Sequence, residues 1–533
     1  MKLKSKRKEE LLASFGQLKD EYFEFDYIAA FFTKSKHDDA LQVIDDKTCN
    51  DLDFHNFFTF IDRTQSSVGQ QYLYDKMRVF PHHSRGQQLQ EQLIAKITKE
   101  TTFRLFIQEQ LVKLESKNAY YIASLFQDEH RKPPKLFALM RLLPFLALAF
   151  LLAGFIHPVA FLGLFPVILT NLILHYWYKR VLSEYIGSIP ALLKLHKLAH
   201  VFYKDSLLQQ LKPTLSGALR VLDKLKRKMT IFSVEERVQG DLYSIVWGIY
   251  EFVKIIFLIE PINLFKVLTS LDTKRSEIKE IFDFVGEVDA LLSVASLRAG
   301  VEDFCIPVFQ DEGRRLSAED MYHPLIRDCV KNTINLSQHS ILLTGSNMSG
   351  KTSFIRTVAL NAITAITLNT CFASNFTLPR VRLYSAIRIS DDLLNDRSYY
   401  LEEVLTIKRM IDESTSNGVN LFILDEIFKG TNTVERIAAG KAVLSYLQKS
   451  NNIVFVSTHD IELADLLQEE YDLYHFSEEV TDKAIDFDYK LKSGKLKKKN
   501  AIRILGLNNY PESLIDEALT ISEKIDRATF FKS

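Results

Sequence analysis

From Leu142 to Tyr178 the chain runs for 37 residues without an Asp, Glu, Lys or Arg. A stretch of that length belongs either in a lipid bilayer or deep inside a large core. It divides into two apolar runs, Leu142–Ile156 and Val159–Tyr178, separated by His157-Pro158. The second run has 20 residues, enough to cross about 30 Å of hydrocarbon. The first holds ten Leu, Ile, Phe or Val residues. At about −0.3 to −0.6 kcal/mol each, their insertion outweighs an end-placed Pro144. It reaches spanning length if it starts near Leu136, with Arg141 extending its head group to the interface. Arg131, Lys132, Lys135 and Arg141 precede the pair, Lys179 and Arg180 follow it, and the turn is uncharged. Positive outer flanks predict a membrane hairpin with both chain termini in the cytoplasm. The competing reading is a helical hairpin buried in a core.

The rest of the chain is ordinary in bulk. Lys plus Arg and Asp plus Glu are 67 each, which argues against a histone-like binder held to nucleic acid by overall charge. A local basic surface remains compatible with that balance. With 47% hydrophobic residues and only 19 Gly and 13 Pro, disorder and collagen are excluded. The cysteines Cys49, Cys305, Cys329 and Cys371 form no C-x-x-C pair, which fits a reducing compartment and not a disulfide framework. The basic start Met-Lys-Leu-Lys-Ser-Lys-Arg-Lys lacks the apolar run of a signal peptide. It reads as a solvated helix start, or as a contact for anionic lipid or DNA.

From about Val181 to Leu297, apolar residues recur at three and four spacings among charges, as in Ala191–Leu198 and Ala218–Lys228. Leu242–Ile259 is interrupted by Glu251 and Lys254 and reads as a core helix, not a third span. Arg220, Lys224, Lys226, Arg227 and Lys228 read as a solvated helix face, with phosphate contact as the alternative. After about Phe309 the pattern changes. Short apolar runs alternate with helical stretches: Ser340–Thr344 then Ser353–Leu368, Leu421–Leu424 then Ile437–Leu447, Ile453–Val456 then Ile461–Leu467. That alternation predicts βαβ units and a mainly parallel sheet.

Three strand ends in this region carry chemistry. Gly345, Ser346, Asn347, Met348, Ser349, Gly350, Lys351 and Thr352 fit the P-loop pattern between an apolar strand and a helix, with Ser353 continuing into it. Glycines let backbone N–H groups wrap phosphate oxygens at a helix N-terminus. Lys351 would neutralise the β/γ-phosphates and Thr352 would ligate Mg²⁺. The strand Leu421–Leu424 ends in Asp425 and Glu426. Asp425 would hold Mg²⁺ through water, and Glu426 would orient or deprotonate the attacking water. A third strand ends in Ser457, Thr458 and His459, where the imidazole could donate to the γ-phosphate of ATP and report its loss.

The order of these elements resembles the MutS mismatch-repair family, within the wider ABC-type ATPase class. The likeness runs through Tyr322-His-Pro-Leu, the P-loop from Thr344, Ser390-Asp-Asp-Leu, Asp396-Arg-Ser-Tyr-Tyr-Leu-Glu-Glu403, Leu424-Asp-Glu-Ile-Phe-Lys-Gly-Thr-Asn-Thr433 and Ser457-Thr-His459. Ile504-Leu-Gly-Leu-Asn-Asn-Tyr-Pro511 resembles the family's last helix-turn-helix. Ile44–Asp53 with Ile61–Gly69 resembles the start of its helical core, and Val288–Ser296 that core's end. The resemblance implies ATP and Mg²⁺ binding, slow hydrolysis, DNA contact through helical arms, and a homodimer with composite ATP sites. It also implies that Ser398, near a helix start where N-capping would be its plain role, reaches the γ-phosphate in the other subunit. The expectation from residues 1–40 and from the stretch after Pro511 is a chain without the family's mismatch-reading and connector domains or a nuclease-like extension, and the hairpin is foreign to the soluble repair enzymes. Where the family stacks an aromatic on adenine, this chain reads Cys329-Val-Lys-Asn332.

The expected fold is an α/β P-loop NTPase domain, ABC-type and MutS-like, preceded by an all-α helical core with an inserted transmembrane hairpin. The expected division is a basic helical segment at 1–40, a helical core at 41–130, the hairpin at 131–180, the second part of the core at 181–309 and the ATPase domain at 310–533. The expected function is a membrane-tethered ATPase coupled to DNA in a repair- or recombination-related process, with its ATPase domain in the cytoplasm and the lipid bilayer as one partner. The alternatives are an ATP-driven membrane machine and a nucleotide-gated scaffold without DNA binding. Two spans per chain are few for a translocation path, and the chain lacks a Leu-Ser-Gly-Gly-Gln signature.

Overall fold

The structure is a computed structural model. It describes all residues except 1, 83–85, 136, 234–250, 311–312, 337, 347–348, 389–398, 481–484, 497–501, 503–504, 506–509 and 531–533. The P-loop residues Asn347 and Met348, and Ser398, therefore lie outside the described residues. So do Leu136, Ser390–Arg397, the first half of Leu242–Ile259 and most of Ile504–Tyr510. The chain forms two compact units, an N-terminal helical one and an α/β one. The first comprises Met1–Asp38, Ile61–Lys76 and Arg85–Val301; the second comprises Asp39–Phe60, Met77–Ser84 and Glu302–Ser533.

The helical unit is closed by contacts between segments more than 200 residues apart. Helix Arg275–Gly300 buries nearly its whole C-terminal half, including the carboxylate of Asp289. That carboxylate accepts the backbone N–H of Gln65 at 2.8 Å and those of the Ser66 N–H and hydroxyl at 2.9 and 2.5 Å. Ser293 accepts from Arg63 N, and Ser296 from Gly16 N. Asp62 does the same work nearby, taking Lys19 Nζ at 2.8 Å and Gln70 Nε2 at 2.6 Å. Buried acceptors of this kind satisfy N–H groups that would otherwise be stranded without water. The segments 61–69 and 288–296, both singled out in the sequence, thus meet in space.

Two helices of this unit, among the described residues, are long and apolar enough to cross a membrane: Phe137–Gly154, and the stretch Pro158–Val181 that begins with a 3₁₀ turn. They pack antiparallel through their glycines. Gly154 lies against the Phe161 ring and Gly163 against the Phe150 ring, so closely that a Cβ at either would stand 2.5 Å from the aromatic carbon. Only 17% of each apolar window is buried, and Phe145, Phe155, Leu162 and Phe165 each expose at least 70% of their surface. The hairpin is therefore not a core element of this unit. The polar Asn171 and His175 are turned inward, and Asn171 Nδ2 donates to Ile256 O at 2.6 Å.

The α/β unit has a six-stranded sheet in the order Lys492–Ser493, Tyr471–His475, Ser340–Thr344, Asn452–Thr458, Val419–Asp425, Val381–Ala386. All neighbours are parallel except the first pair. The three central strands are almost wholly buried, the pattern of a parallel sheet covered on both faces. Helices Lys351–Leu368, Thr433–Gln448 and Ile461–Leu467 follow three of the strands, matching the alternation in the sequence. A second, four-stranded sheet runs Val308–Gln310, Asn375–Pro379, Leu316–Met321, Asn332–Leu336.

Residues 39–60 and 77–84 belong to this unit, although the sequence pattern grouped them with the helical segment. Their anchor is the edge strand Val381–Ala386. Gln42 pairs with the Leu383 backbone in both directions at 2.7 Å, and the buried Asp51 carboxylate accepts from Ser385 Oγ, Ile387 N and Arg388 N. The otherwise open edge is covered, which removes a template for intermolecular pairing.

The Asp289 knot gives a stability test. A Cβ on Gly69 would stand 2.1 Å from Asp289 Oδ2. Gly69→Ala should cost about 3 kcal/mol and lower the melting temperature by several degrees. A variant melting with the parent would show that the helix Ser67–Arg78 can move off Asp289 freely.

Candidate active site

The register of the parallel sheet sets the site. Thr458 pairs with Thr344 and Ser457 with Asp425, so three strands end level with one another. Ligands of open parallel sheets bind at this C-terminal edge. After Thr344 the backbone turns through Gly345 at φ 148° and reaches Gly350 at φ 102°, where helix Lys351–Leu368 begins. The left-handed value at Gly350 is costly for a side chain. At Gly345 a Cβ would also stand 2.8 Å from Phe476 O. The turn thus has bare backbone at both ends and leads into a helix N-terminus, a place suited to phosphate.

Lys351 is nearly fully buried, and its ammonium donates to Gly345 O at 2.7 Å and Ser346 O at 2.8 Å. Burial pulls its pKa down from the ordinary lysine value to about 8, against the opposite pull of Glu426, Asp425 and Glu478. Thr352 Oγ1 donates to Asp425 Oδ2 at 2.8 Å, and the Ser457 hydroxyl bonds the other oxygen of Asp425. A hydroxyl and a carboxylate in contact form the oxygen donor set that Mg²⁺ favours. Ser346 Oγ donates to Glu478 Oε2 at 3.0 Å, and Ser349 Oγ to Ser346 O at 2.8 Å. Ser353, on the same first helical turn, lines a cavity described below.

Glu426 adopts φ 51° and Phe428 φ 59°. For residues with a Cβ such values cost of order 1–2 kcal/mol each. The backbone is held there because Glu426 N donates to Ser457 O at 2.9 Å and Phe428 N donates to the buried Glu403 carboxylate. This turn aims Glu426 at an imidazole and an ammonium. Its carboxylate meets His459 Nε2 at 2.6 Å and Lys429 Nζ at 2.8 Å. Burial would raise its pKa, but hydrogen bonds from His459 and Lys429 win and hold it down at about 2. His459 Nε2 also lies 3.3 Å from Lys351 Nζ. Asp460, next in sequence, is clamped by Arg436 through two bonds of 2.8 and 2.9 Å.

Beside the P-loop opens a cavity of about 460 Å³, lined by Tyr322, His323, Ile326, Cys329, Phe476 and Tyr489, with Gly350, Thr352 and Ser353 on one side. Tyr489 is anchored from below: Asn332 Nδ2 donates to Tyr489 O at 3.0 Å and Leu491 N donates to Asn332 Oδ1 at 2.8 Å. Its ring lies 3.3 Å from where a Cβ on Gly350 would stand. Burial, with Arg356 close by, lowers the His323 pKa to about 4, so the ring is neutral at physiological pH.

The structure brings together Gly345, Ser346, Ser349, Gly350, Lys351, Thr352, Asp425, Glu426 and His459. Three neighbours had no sequence signal of their own. Lys429 stands inside the motif Leu424–Thr433, where nothing in the sequence assigns it a role. Glu478 and Tyr489 follow the last parallel strand, in a segment without a chemical motif.

Residues 341–526 match the family described as MutS domain V, which is an ATPase domain. A little under half of the chain is similar to proteins named DNA mismatch repair protein MutS. That of Aquifex pyrophilus is 31% identical over 252 residues, covering 45% of this chain and 29% of the relative. That of Listeria monocytogenes serotype 4a is 32% identical over 256 residues with the same coverage. A longer match, to Staphylococcus haemolyticus, is 29% identical over 331 residues, 60% of this chain and 35% of the relative. The chain thus spans only about a third of the length of these relatives.

The low pKa of Lys351 has a measurable consequence. Phosphate needs the charged ammonium, which is half lost at about pH 8 in the free protein. ATP should bind about fivefold more weakly at pH 9 than at pH 8, with proton uptake on binding. Titration calorimetry in two buffers of different ionisation enthalpy measures both. Affinity flat across that range would show that Lys351 keeps its charge.

Proposed function

We propose that this chain is a membrane-tethered ATPase of the MutS kind, acting as a dimer and coupling ATP hydrolysis to DNA in a repair- or recombination-related process. The single observation that carries the ATPase part is the 2.8 Å contact of Thr352 with Asp425, which joins the P-loop helix to the neighbouring strand end. With the match to MutS domain V, that contact argues for ATP and Mg²⁺ at this edge of the sheet.

In this reading the loop from Gly345 to Ser353 wraps the phosphates, including Asn347 and Met348. Lys351 would exchange its two loop carbonyls for phosphate oxygens. Thr352 and Asp425 would hold Mg²⁺, which when bound neutralises charge developing on the phosphates. Adenine would enter the adjoining cavity, where Tyr489 supplies an aromatic face that the stretch Cys329–Asn332 lacks. Glu426 would orient the attacking water. A carboxylate tied to His459 and Lys429 is a poor base, so these two partners must release it first. His459, in contact with both Lys351 and Glu426, would exchange Glu426 for a γ-phosphate oxygen. Ser398 would complete the site from the other subunit of a homodimer.

The membrane part rests on the exposed hairpin. Apolar side chains left in water cost about 25 cal/mol per Å². Phe137–Gly154 and Pro158–Val181 leave most of that surface open along two spans. Lys224, Arg227, Lys228 and Lys266 line a cavity that includes Phe137, at the start of the first span. Cations there suit the anionic headgroups of a cytoplasmic leaflet. In that orientation both termini and the ATPase domain lie in the cytoplasm. DNA coupling draws on the names of the relatives, so DNA binding is measured directly, with and without ATP. Salt-sensitive binding supports it. None at low salt leaves an ATP-driven membrane machine or a nucleotide-gated scaffold.

Lys351→Ala should abolish ATP binding, whereas Glu426→Gln should retain ATP and lose turnover by about a hundredfold or more. Equilibrium binding and single-turnover hydrolysis separate the two effects. Full turnover by Glu426→Gln would remove Glu426 from the mechanism.

The full chain should sediment with membranes and stay there through alkaline carbonate washing. Release into the supernatant would mean that the hairpin is covered by protein and not by lipid.

A further inference from the structure

Far from the P-loop in sequence, three side chains of the helical unit have the chemistry and spacing of a metal centre. His196 and His200 stand one turn apart on helix Ser183–Phe202. That spacing points both imidazoles from one face. Asp223 meets them from helix Leu215–Met229. Its Oδ1 lies 3.4 Å from His196 Nε2 and 3.2 Å from His200 Nε2. One ligand atom from each residue lies within 4.8 Å of the other two.

These distances are informative. Bonds of about 2.0–2.1 Å in a tetrahedral array set neighbouring ligand atoms about 3.3 Å apart. Both nitrogen–oxygen spacings match the edge of such a tetrahedron. The two rings are perpendicular with centroids 4.7 Å apart, so they converge without stacking. His196 forms a buried back wall, while the His200 and Asp223 side chains are 40% and 45% exposed and leave an entry path.

The plain alternative is a carboxylate shared by two imidazole N–H donors. In that alternative His196 Nε2 carries its ring proton toward the Leu219 carbonyl oxygen, 3.3 Å away, and a metal would have to displace that proton, so metal uptake separates the two readings.

We propose that His196, His200 and Asp223 form a binding site for a zinc-class divalent cation that pins these two helices together. Two imidazoles and one carboxylate suit Zn²⁺ or Co²⁺, whereas Mg²⁺ prefers an all-oxygen shell. The site therefore does not compete for the Mg²⁺ that serves the nucleotide. Three protein ligands leave a fourth position for water or for a donor from a partner. The inference is independent of the ATPase and membrane readings.

The test uses the full chain in detergent, stripped with a chelator and titrated with zinc chloride in excess Mg²⁺. One equivalent of Zn²⁺ should bind per chain and raise the melting temperature. Co²⁺ in its place should give the intense visible bands of tetrahedral coordination. His200→Ala and Asp223→Asn sit at partly exposed positions where the fold tolerates change. Each should weaken Zn²⁺ binding at least about tenfold and remove the cobalt bands. Asp223→Asn is the sharper variant, because an amide still accepts hydrogen bonds from both rings but is a poor zinc ligand. Absence of Zn²⁺ uptake overturns the proposal. So does equal affinity in both variants, which would put the metal elsewhere, for example on a cysteine.

Discussion

The α/β unit turns on the Asp425 carboxylate. One oxygen takes the hydroxyl of Thr352 at the first turn of the P-loop helix, and the other takes that of Ser457 on the adjacent strand. Three elements are thereby fixed at one point. The position of that point follows from strand register, because Ser457 and Asp425 are paired residues of parallel neighbours. A slip of one residue would turn every side chain to the opposite face and take Asp425 away from the helix. The buried strands make such a slip prohibitive, so the hydrophobic core itself holds the polar site in register.

Around that point the charges are held in a strained balance. Lys351 is buried on loop carbonyls, Glu426 is hydrogen-bonded to His459 and ion-paired to Lys429, and two residues of the turn hold left-handed backbone angles. Each feature costs free energy that ordinary packing would avoid. Lys351 and His459 among them are groups that a phosphate would engage in the proposed reading. Binding can therefore replace one set of partners by another without first creating a cavity or a fold. The buried Glu403, which anchors Phe428 N, links this turn to helix Tyr399–Glu413, the element that follows Ser398.

The helical unit solves a different problem. Its ends are joined by buried carboxylates, Asp62 and Asp289, that collect N–H groups and a lysine from distant segments. Its hairpin instead leaves apolar rings open and packs its two helices by glycine–phenylalanine contacts. Small residues facing large ones allow close approach where hydrophobic burial offers no driving force between helices, as in a bilayer.

The sequence by itself determined the elements whose signals are local. The P-loop is legible because one short segment supplies its turn, its lysine and its hydroxyl. Asp425, Glu426 and His459 are legible because apolar strands end at them, and the uncharged run marks the hairpin without reference to any partner. Tertiary structure decided whatever depends on pairing between distant segments. Asp51 and Gln42 covering the edge strand, Lys429 gripping Glu426, Glu478 meeting Ser346 and Tyr489 walling the cavity carry no periodicity or motif of their own. Their side chains would read as solvated polar residues anywhere else. What gives them a role is the sheet order and register, and those are fixed by long-range hydrophobic packing that no short window of sequence contains.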